Sequence, residues 1–267
     1  MRRVESYEQI RSFMGQIRSL KKGFVTNFYW NENKHPHWID KGELFFDDYS
    51  DCVILTHMND SFCNMFFMAT NYEAVVSALH LCHVDSDVII DLVCKGDGQE
   101  ERKLFREIGF EDYRSLFRMM HLGMMDSSNW TKEKSVDYGE VEDAIEIFEI
   151  FQRDFDPLCE QLPSISEIED FAKRKQILVL KDGEQLCGFI IFEITGATWY
   201  LRYWYTSPAY RDKGVGAKLI KTSLLLGQDT KRQLFWVISD NVNAIKRYEH
   251  YGFKRENMND YVIIKRR

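Results

Sequence analysis

The segment Arg211-Asp212-Lys213-Gly214-Val215-Gly216 limits the fold of this chain more than any other, because it joins a strand-like run to a helix-like one. Before it, residues 198–206 (TWYLRYWYT) are aromatic and β-branched, the composition of a strand. After it, Leu219, Ile220, Leu224 and Leu225 recur at helical spacing across 217–228. Two glycines in between let the backbone turn sharply and gather several bare N–H groups at a helix N-terminus. Such a terminus attracts anions through its free donors and its dipole, and Arg211 and Lys213 add positive charge at its mouth. The pattern is a phosphate cradle. It is neither a Walker loop, which needs Gly-x-x-x-x-Gly-Lys-Ser/Thr, nor the three-glycine dinucleotide fingerprint.

A second strand, turn and helix follow where the first require them. Residues 233–239 (QLFWVIS) read as a buried strand, and 240–243 (DNVN) supply turn and N-cap residues. A short helix is expected over 244–251, closed by Gly252 as a left-handed cap with Phe253 packed behind it. Two motifs therefore stand in order, Arg211-x-x-Gly214-x-Gly216 and Asn241-x-x-Ala244-x-x-x-Tyr248-x-x-x-Gly252-Phe253. Across 198–264 they resemble the coenzyme A loop and the motif that follows it in the GNAT superfamily of N-acetyltransferases.

The first half echoes this arrangement without its glycines. A helix ending in Gly109-Phe110 precedes a strand over 113–120, and aligning this pair with Gly252-Phe253 sets a single offset between the halves (252 − 109). Phe105 then takes the place of Tyr248, and Glu100 that of Asn243. Upstream, 52–56 and 62–68 read as strands leading into a helix that starts at Thr70-Asn71-Tyr72-Glu73, where a phosphate loop is missing. The resemblance implies an α/β chain of the mixed-sheet, α+β kind. It has two GNAT-like domains, each a mixed, mainly antiparallel sheet flanked by helices. A degenerate domain is expected at 1–128 and the loop-bearing one at 129–267, with the cut in the polar segment 126–132.

Composition narrows the partners. With a net charge of -7 the chain has no basic stripe for nucleic acid, so no nucleic-acid partner is expected. Met1-Arg2-Arg3 leads into a polar stretch, and no run approaches the ~18 apolar residues of a membrane span. A cytoplasmic location, away from membranes, is the expectation. Cys52, Cys63, Cys82, Cys94, Cys159 and Cys187 lack CxxC spacing and read as buried reduced thiols. His35-Pro36-His37 has no third ligand at a recognisable spacing, and no metal is assigned.

What the resemblance implies about chemistry is specific. Acetyl-coenzyme A would donate an acetyl group directly to the primary amine of a small metabolite or amino-acid-like acceptor, in a monomer or homodimer. The loop Arg211, Asp212, Lys213, Gly214, Val215, Gly216 and Ala217 would hold the pyrophosphate, and the strand edge at Tyr205 and Thr206 the pantetheine arm. Tyr248 occupies the position of the family's general acid, and a phenol of pKa about 10 suits a departing thiolate. Asn241 and Asn243 bond the coenzyme or cap the helix. Glu193 is the candidate base, acting through water. Asp154, Asp156, Glu160, Glu167 and Glu169 form either an amine-attracting cluster or an ordinary acidic surface. Tyr200, Tyr203 and Trp204 line the acceptor pocket or pack in the core. Two other readings stay open: a non-catalytic acyl-coenzyme A sensor, and a transfer-RNA-dependent aminoacyl transferase of the tandem GNAT-like type, which the acidic balance disfavours.

Overall fold

Apolar runs without polar alternation, such as CVILTHM at 52–58 and FCNMFFMA at 62–69, need cover on both faces, and both are strands buried on both sides. The computed structural model describes residues 1–125, 130–131 and 133–267. These fall into two units, Met1–Phe117 with Asn257–Arg267, and Arg118–Glu256. The first contains β1 (Arg2–Arg3), α1 (Tyr7–Ser19), β2 (Val25–Thr26), α2 (His35–Lys41), β3 (Leu44–Asp48), β4 (Cys52–Met58), β5 (Phe62–Ala69), α3 (Tyr72–Leu81), β6 (Asp87–Lys95), α4 (Gln99–Glu107) and the start of β7 (Glu111–Leu122). The second contains the end of β7, β8 (Asp137–Tyr138), α5 (Ala144–Asp154), α6 (Pro157–Glu160), α7 (Ile165–Lys173), β9 (Ile177–Asp182), β10 (Gln185–Thr195), β11 (Thr198–Thr206), α8 (Val215–Leu226), β12 (Arg232–Ile238), α9 (Val242–His250) and the start of β13 (Lys254–Lys265).

In the first unit the strands run β1-β3-β4-β5-β6-β13, antiparallel except for β5 and β6. Alternate residues feed opposite cores. Cys52, Ile54, Met65 and Phe67 pack with α3 and α4, while Val53, Leu55, Phe66 and Met68 pack with α1 and α2. In the second unit β8, β9, β10 and β11 are antiparallel neighbours, and β12 joins β11 in parallel. There α5 and α7 bury Ile147, Phe151 and Phe171 against Phe189, Ile191 and Tyr205.

The expected repeat is present in detail. Helices α3 and α8, helices α4 and α9, and strands β7 and β13 all start at the offset set by the two Gly-Phe pairs (215 − 72, 242 − 99 and 254 − 111). Both α4 and α9 end on the same bond, Phe110 N–H to Phe105 C=O at 3.1 Å and Phe253 N–H to Tyr248 C=O at 3.2 Å, with Gly109 (φ 92°) and Gly252 (φ 84°) left-handed between. The ends of β5 and β11, at Ala69 and Thr206, lie closer together than that offset. The connection to the next helix, 70–71 in the first copy and 207–214 in the second, is thus six residues longer in the second, and those residues are the glycine loop.

One organisational feature departs from a simple cut at 128/129, which itself falls among residues 126–129, outside those described. β13 pairs from Met258 to Lys265 with β6 of the first unit. The end of β7 belongs to the second unit, where Gly123 N–H donates to Lys231 C=O (2.9 Å) and His121 Nδ1 meets Gln233 Oε1 (2.9 Å). Each copy's closing strand therefore begins in its own unit and ends in the other. All six cysteines are free thiols, and His35 is buried, its Nδ1 accepting from the Asn31 N–H (2.9 Å). Among the described residues no helix is long and apolar enough to cross a membrane.

Candidate active site

Helix α8 begins at Val215, two residues before the sequence suggested, because its N-cap is Gly214 itself. Gly214 (φ 77°) and Asp212 (φ 64°) are both left-handed, which curls the loop so that its amides converge. The cap provides no side-chain bond, and among the described residues no backbone carbonyl accepts from the amides of Val215, Gly216 or Ala217. This leaves a helix N-terminus with its donors bare. Gly216 is needed for a different reason: a Cβ there would meet Trp204 Cζ2 at 3.0 Å and Thr206 Oγ1 at 3.1 Å. Its hydrogen lets the helix close onto β11.

Beside this terminus lies a cavity of ≈ 460 Å³. One wall is Trp204 and Thr206 of β11 and the loop from Tyr210 to Ala217, with Lys213 absent; that lysine instead lies over the Tyr210 ring, 4.5 Å from its centre. The facing wall is Lys246, Arg247, His250 and Tyr251, one side of α9. Sequence reading missed this second wall. Its signal is a pair of adjacent residues repeated four positions on, which puts all four on one helix face. With Arg211, they give the cavity a cationic lining.

The strands open where the cavity needs them to. β11 and β12 pair only over Thr198–Arg232, Trp199–Gln233 and Tyr200–Leu234, after which β11 continues to Thr206 without β12. A bulge at Arg202 accompanies the divergence: Ile191 pairs with Tyr203 and Phe192 with Leu201. The β12-facing edge of β11 is thus left without its ladder, able to accept an extended partner. Thr206 lines the opening, whereas the Tyr205 side chain turns away, stacked on Phe189 (5.5 Å) with its hydroxyl 3.5 Å from Arg153 Nη2. Only the Tyr205 backbone is placed to serve a ligand.

The same place in the first unit is closed by the chain itself. β5 and β6 also pair for three residues and then part. Here β2 lies along β5, Val25 against Ala69 and Thr26 against Met68. Asn27 then bridges the gap, donating from Nδ2 to Met65 C=O (3.2 Å) and Asp91 C=O (3.0 Å) and accepting the Phe67 N–H (2.7 Å). The N-terminus of α3 is capped by Asn71, whose Oδ1 accepts the Ala74 N–H at 2.8 Å. The β5 edge is thus occupied by β2 and Asn27, and the cap of α3 by Asn71.

Tyr248 is 7 % exposed, its ring on Phe235 (4.1 Å between centroids), Trp204 (5.6 Å) and Phe253 (6.3 Å). It does not line the cavity; Trp204 does, and its buried indole N–H has no hydrogen-bond partner. Burial, and then the negative charge of Glu160, push the Tyr248 phenol well above its ordinary value, so it stays protonated as an acid must. Asn241 caps α9, its Oδ1 accepting the Ala244 N–H (3.2 Å), while Asn243 is exposed and away from the cavity lining.

The carboxylates divide by what they hold. Glu193, expected as the base, is buried and tied to Arg202 (2.5 Å to Nη2, 2.7 Å to Nε), whose guanidinium lies 4.1 Å over the Tyr200 ring. Both contacts fall on Oε2, which makes Glu193 the buried counter-ion of Arg202. Asp154 pairs with Arg153 (2.9 Å) and Glu169 with Lys173 (3.8 Å). Asp156 caps α6, and Glu167 is the buried partner of Ser164 in a capping box at the start of α7. Capping and surface pairing account for most of the acidic cluster. Tyr203 is core, its hydroxyl donating to the carbonyls of Glu160 (3.2 Å) and Gln161 (2.9 Å).

Residues 144–253 match the model of the acetyltransferase (GNAT) family. The chain is similar in fold to a tandem GNAT protein from the clavulanic acid biosynthesis pathway (TM-score 0.59, 10% identity, covering 97% of this chain and 94% of that one). It is also similar to a GNAT-family acetyltransferase from Colwellia psychrerythraea (0.55, 12%, 100% and 99%). A GCN5-related N-acetyltransferase from Sphaerobacter thermophilus gives 0.56 and 11%, covering 87% and 85%. No curated protein matches the chain in sequence. Nearly the whole chain thus has the mixed-sheet fold of tandem GNAT proteins, and within it residues 144–253 match the GNAT acetyltransferase family model.

Proposed function

We propose that the second unit transfers an acetyl group from acetyl-coenzyme A to the primary amine of a small metabolite or amino-acid-like acceptor. The observation that carries this reading is the uncapped N-terminus of α8 beside an edge of β11 that β12 has left. A pyrophosphate is the anion such converging amides hold well, and an amide-bearing arm is the partner an unpaired strand edge accepts. Arg211, Lys246 and Arg247 add the charge that a polyanionic donor needs. The protein's part in the chemistry is to fix the thioester so that a neutral amine attacks it in line, and to protonate the departing sulfur from Tyr248.

The test is a thermal unfolding scan with and without acetyl-coenzyme A. A ligand at a hundred times its Kd adds about 2.7 kcal/mol, which raises Tm by roughly 5 to 10 °C for a unit of this size. Gly216→Glu, whose side chain would push the start of α8 off Trp204 and Thr206, and Arg211→Glu, at an exposed position, should each reduce or abolish the shift. No shift in the wild-type protein would remove the reading's support. A shift without amine-dependent thiol release would favour the non-catalytic sensor instead.

A further inference from the structure

Tyr248 accounts for the proton that the leaving sulfur takes, but an amine that arrives as ammonium must first lose one. With Glu193 held by Arg202, the second unit offers one carboxylate of a different kind. Glu160 ends the short helix α6, and among the described residues no lysine, arginine or histidine pairs with it. One oxygen, Oε2, accepts the Asp156 N–H at 2.9 Å, leaving Oε1 free. The turn that carries it is fixed: Gln161 is left-handed (φ 44°), and Tyr203 of β11 donates to the carbonyls of both Glu160 and Gln161. A non-glycine residue in that conformation is strained, and such strain persists where surrounding bonds hold it.

The placement matters because of what stands opposite. Tyr203 fastens this turn to β11, one side of the strand gap. Tyr248 rests on Phe235 of β12, the other side, and after burial the negative charge of Glu160 helps raise its phenol. The two groups are thus fastened to β11 and β12, the two strands that part beside the cavity. Burial lifts the Glu160 carboxyl above its usual range, partly countered by the Asp156 N–H, so it is a stronger base than a solvated glutamate.

Resting on the acetyltransferase reading, we propose that Glu160 is the general base that deprotonates the acceptor amine. Its carboxylate takes one proton from R–NH3⁺. The neutral nitrogen forms a bond to the thioester carbonyl carbon, and the C–S bond breaks with its electron pair on sulfur. The attacking nitrogen releases its second proton to solvent, Tyr248 gives its proton to the thiolate and regains one from solvent, and Glu160 returns its own to water. The sum is amide, coenzyme A thiol and one released proton.

Glu160→Gln is the appropriate variant, since its amide oxygen still accepts the Asp156 N–H and the turn is kept. The probes are acetyl-coenzyme A with 1,4-diaminobutane, which is charged at pH 7, and with hydroxylamine, which is neutral there. The variant should keep the wild-type thermal shift with acetyl-coenzyme A. It should lose about a hundredfold in diamine-dependent thiol release at pH 7, a general-base contribution being typically ~10²–10⁴-fold. The deficit should shrink as pH rises and the amine deprotonates unaided, and hydroxylamine turnover should be largely spared. A variant that matches the wild-type rate and pH profile with the diamine, or one that loses both amines equally, overturns the assignment of Glu160. Absence of any wild-type thermal shift overturns the acetyltransferase reading on which it rests.

Discussion

Asn27→Ala tests whether the first unit's groove is sealed by that side chain. Asn27 is 6 % exposed and satisfies three buried backbone groups at once: the carbonyls of Met65 and Asp91 and the N–H of Phe67. Truncation leaves all three without a partner, at about 1 kcal/mol or more for each buried group, so a loss of roughly 3 kcal/mol is expected. Hydrogen exchange read in peptides of β5 and β6 is the assay, because it isolates the unit that carries the change. Asn27→Asp supplies the sharper control. It keeps an acceptor for Phe67 but points carboxylate oxygen at two carbonyls, so its folded pKa must lie above the ~3.9 of an unfolded chain. Its penalty is present at neutral pH and is relieved as pH falls through the folded pKa, so this variant should gain stability relative to wild type in acid. A loss below about 1 kcal/mol for Asn27→Ala, with no acid recovery for Asn27→Asp, would show that water replaces the amide freely and that the groove is not sealed this way.

His57, stacked on Trp38 at 3.7 Å, has its pKa lowered to about 3 by burial and then by Lys34 and Lys41, so it is neutral despite Glu43 lying 3.6 Å away. The unfolded chain protonates it near 6.5, so stability present above that pH is lost as pH falls toward 3, by about 2 kcal/mol between pH 7 and 5. His57→Phe should flatten that part of an acid-unfolding curve, and an unchanged slope would refute the assignment. Tyr248→Phe should lower kcat by about a hundredfold while leaving the KM for acetyl-coenzyme A unchanged, because the change removes only the hydroxyl assigned to the departing sulfur and keeps the ring that packs on Phe235 and Trp204. Calorimetric titration should give one acetyl-coenzyme A per chain and none in Gly216→Glu; a second site, or residual binding in the variant, would contradict the closed state of the first unit.

The parts of the site legible in the sequence are those whose function is local. Gly214 and Gly252 take left-handed backbone, Asn241 caps a helix and the offset between the two Gly-Phe pairs recurs, because each depends on neighbours a few positions away. What sequence did not reveal depends on distant partners. Lys246, Arg247, His250 and Tyr251 form a wall only because the rotation of α9 turns them toward the loop of α8. The Glu193–Arg202 pair was hidden for the same reason, as a bulge on β11 sets which way Arg202 points. A two-residue strand such as Val25–Thr26 has no periodicity to detect, although it fills the groove of the first unit. The exchange of β7 and β13 leaves no local trace either, since each keeps the same pattern whichever sheet it joins.

The two copies show how little separates a closed fold from a binding site. Both contain a parallel pair that parts after three residues, and a strand edge so exposed must find partners for its N–H and C=O groups. In the first copy the chain provides them through β2 and Asn27, and the strand passes almost directly into a capped helix (Ala69 to Tyr72). In the second, six more residues turn the same connection into a loop whose amides face outward, and no segment of the described chain lies along the edge of β11 that β12 has left. Water can satisfy those groups only while the groove is empty, so a ligand that brings both an anion and a strand-like arm replaces it at little cost in lost hydrogen bonds. Preserving the gap while lengthening the loop therefore selects for an occupant of that composite kind. A free phosphate or a bare peptide would satisfy one half of the site and leave the other half to solvent.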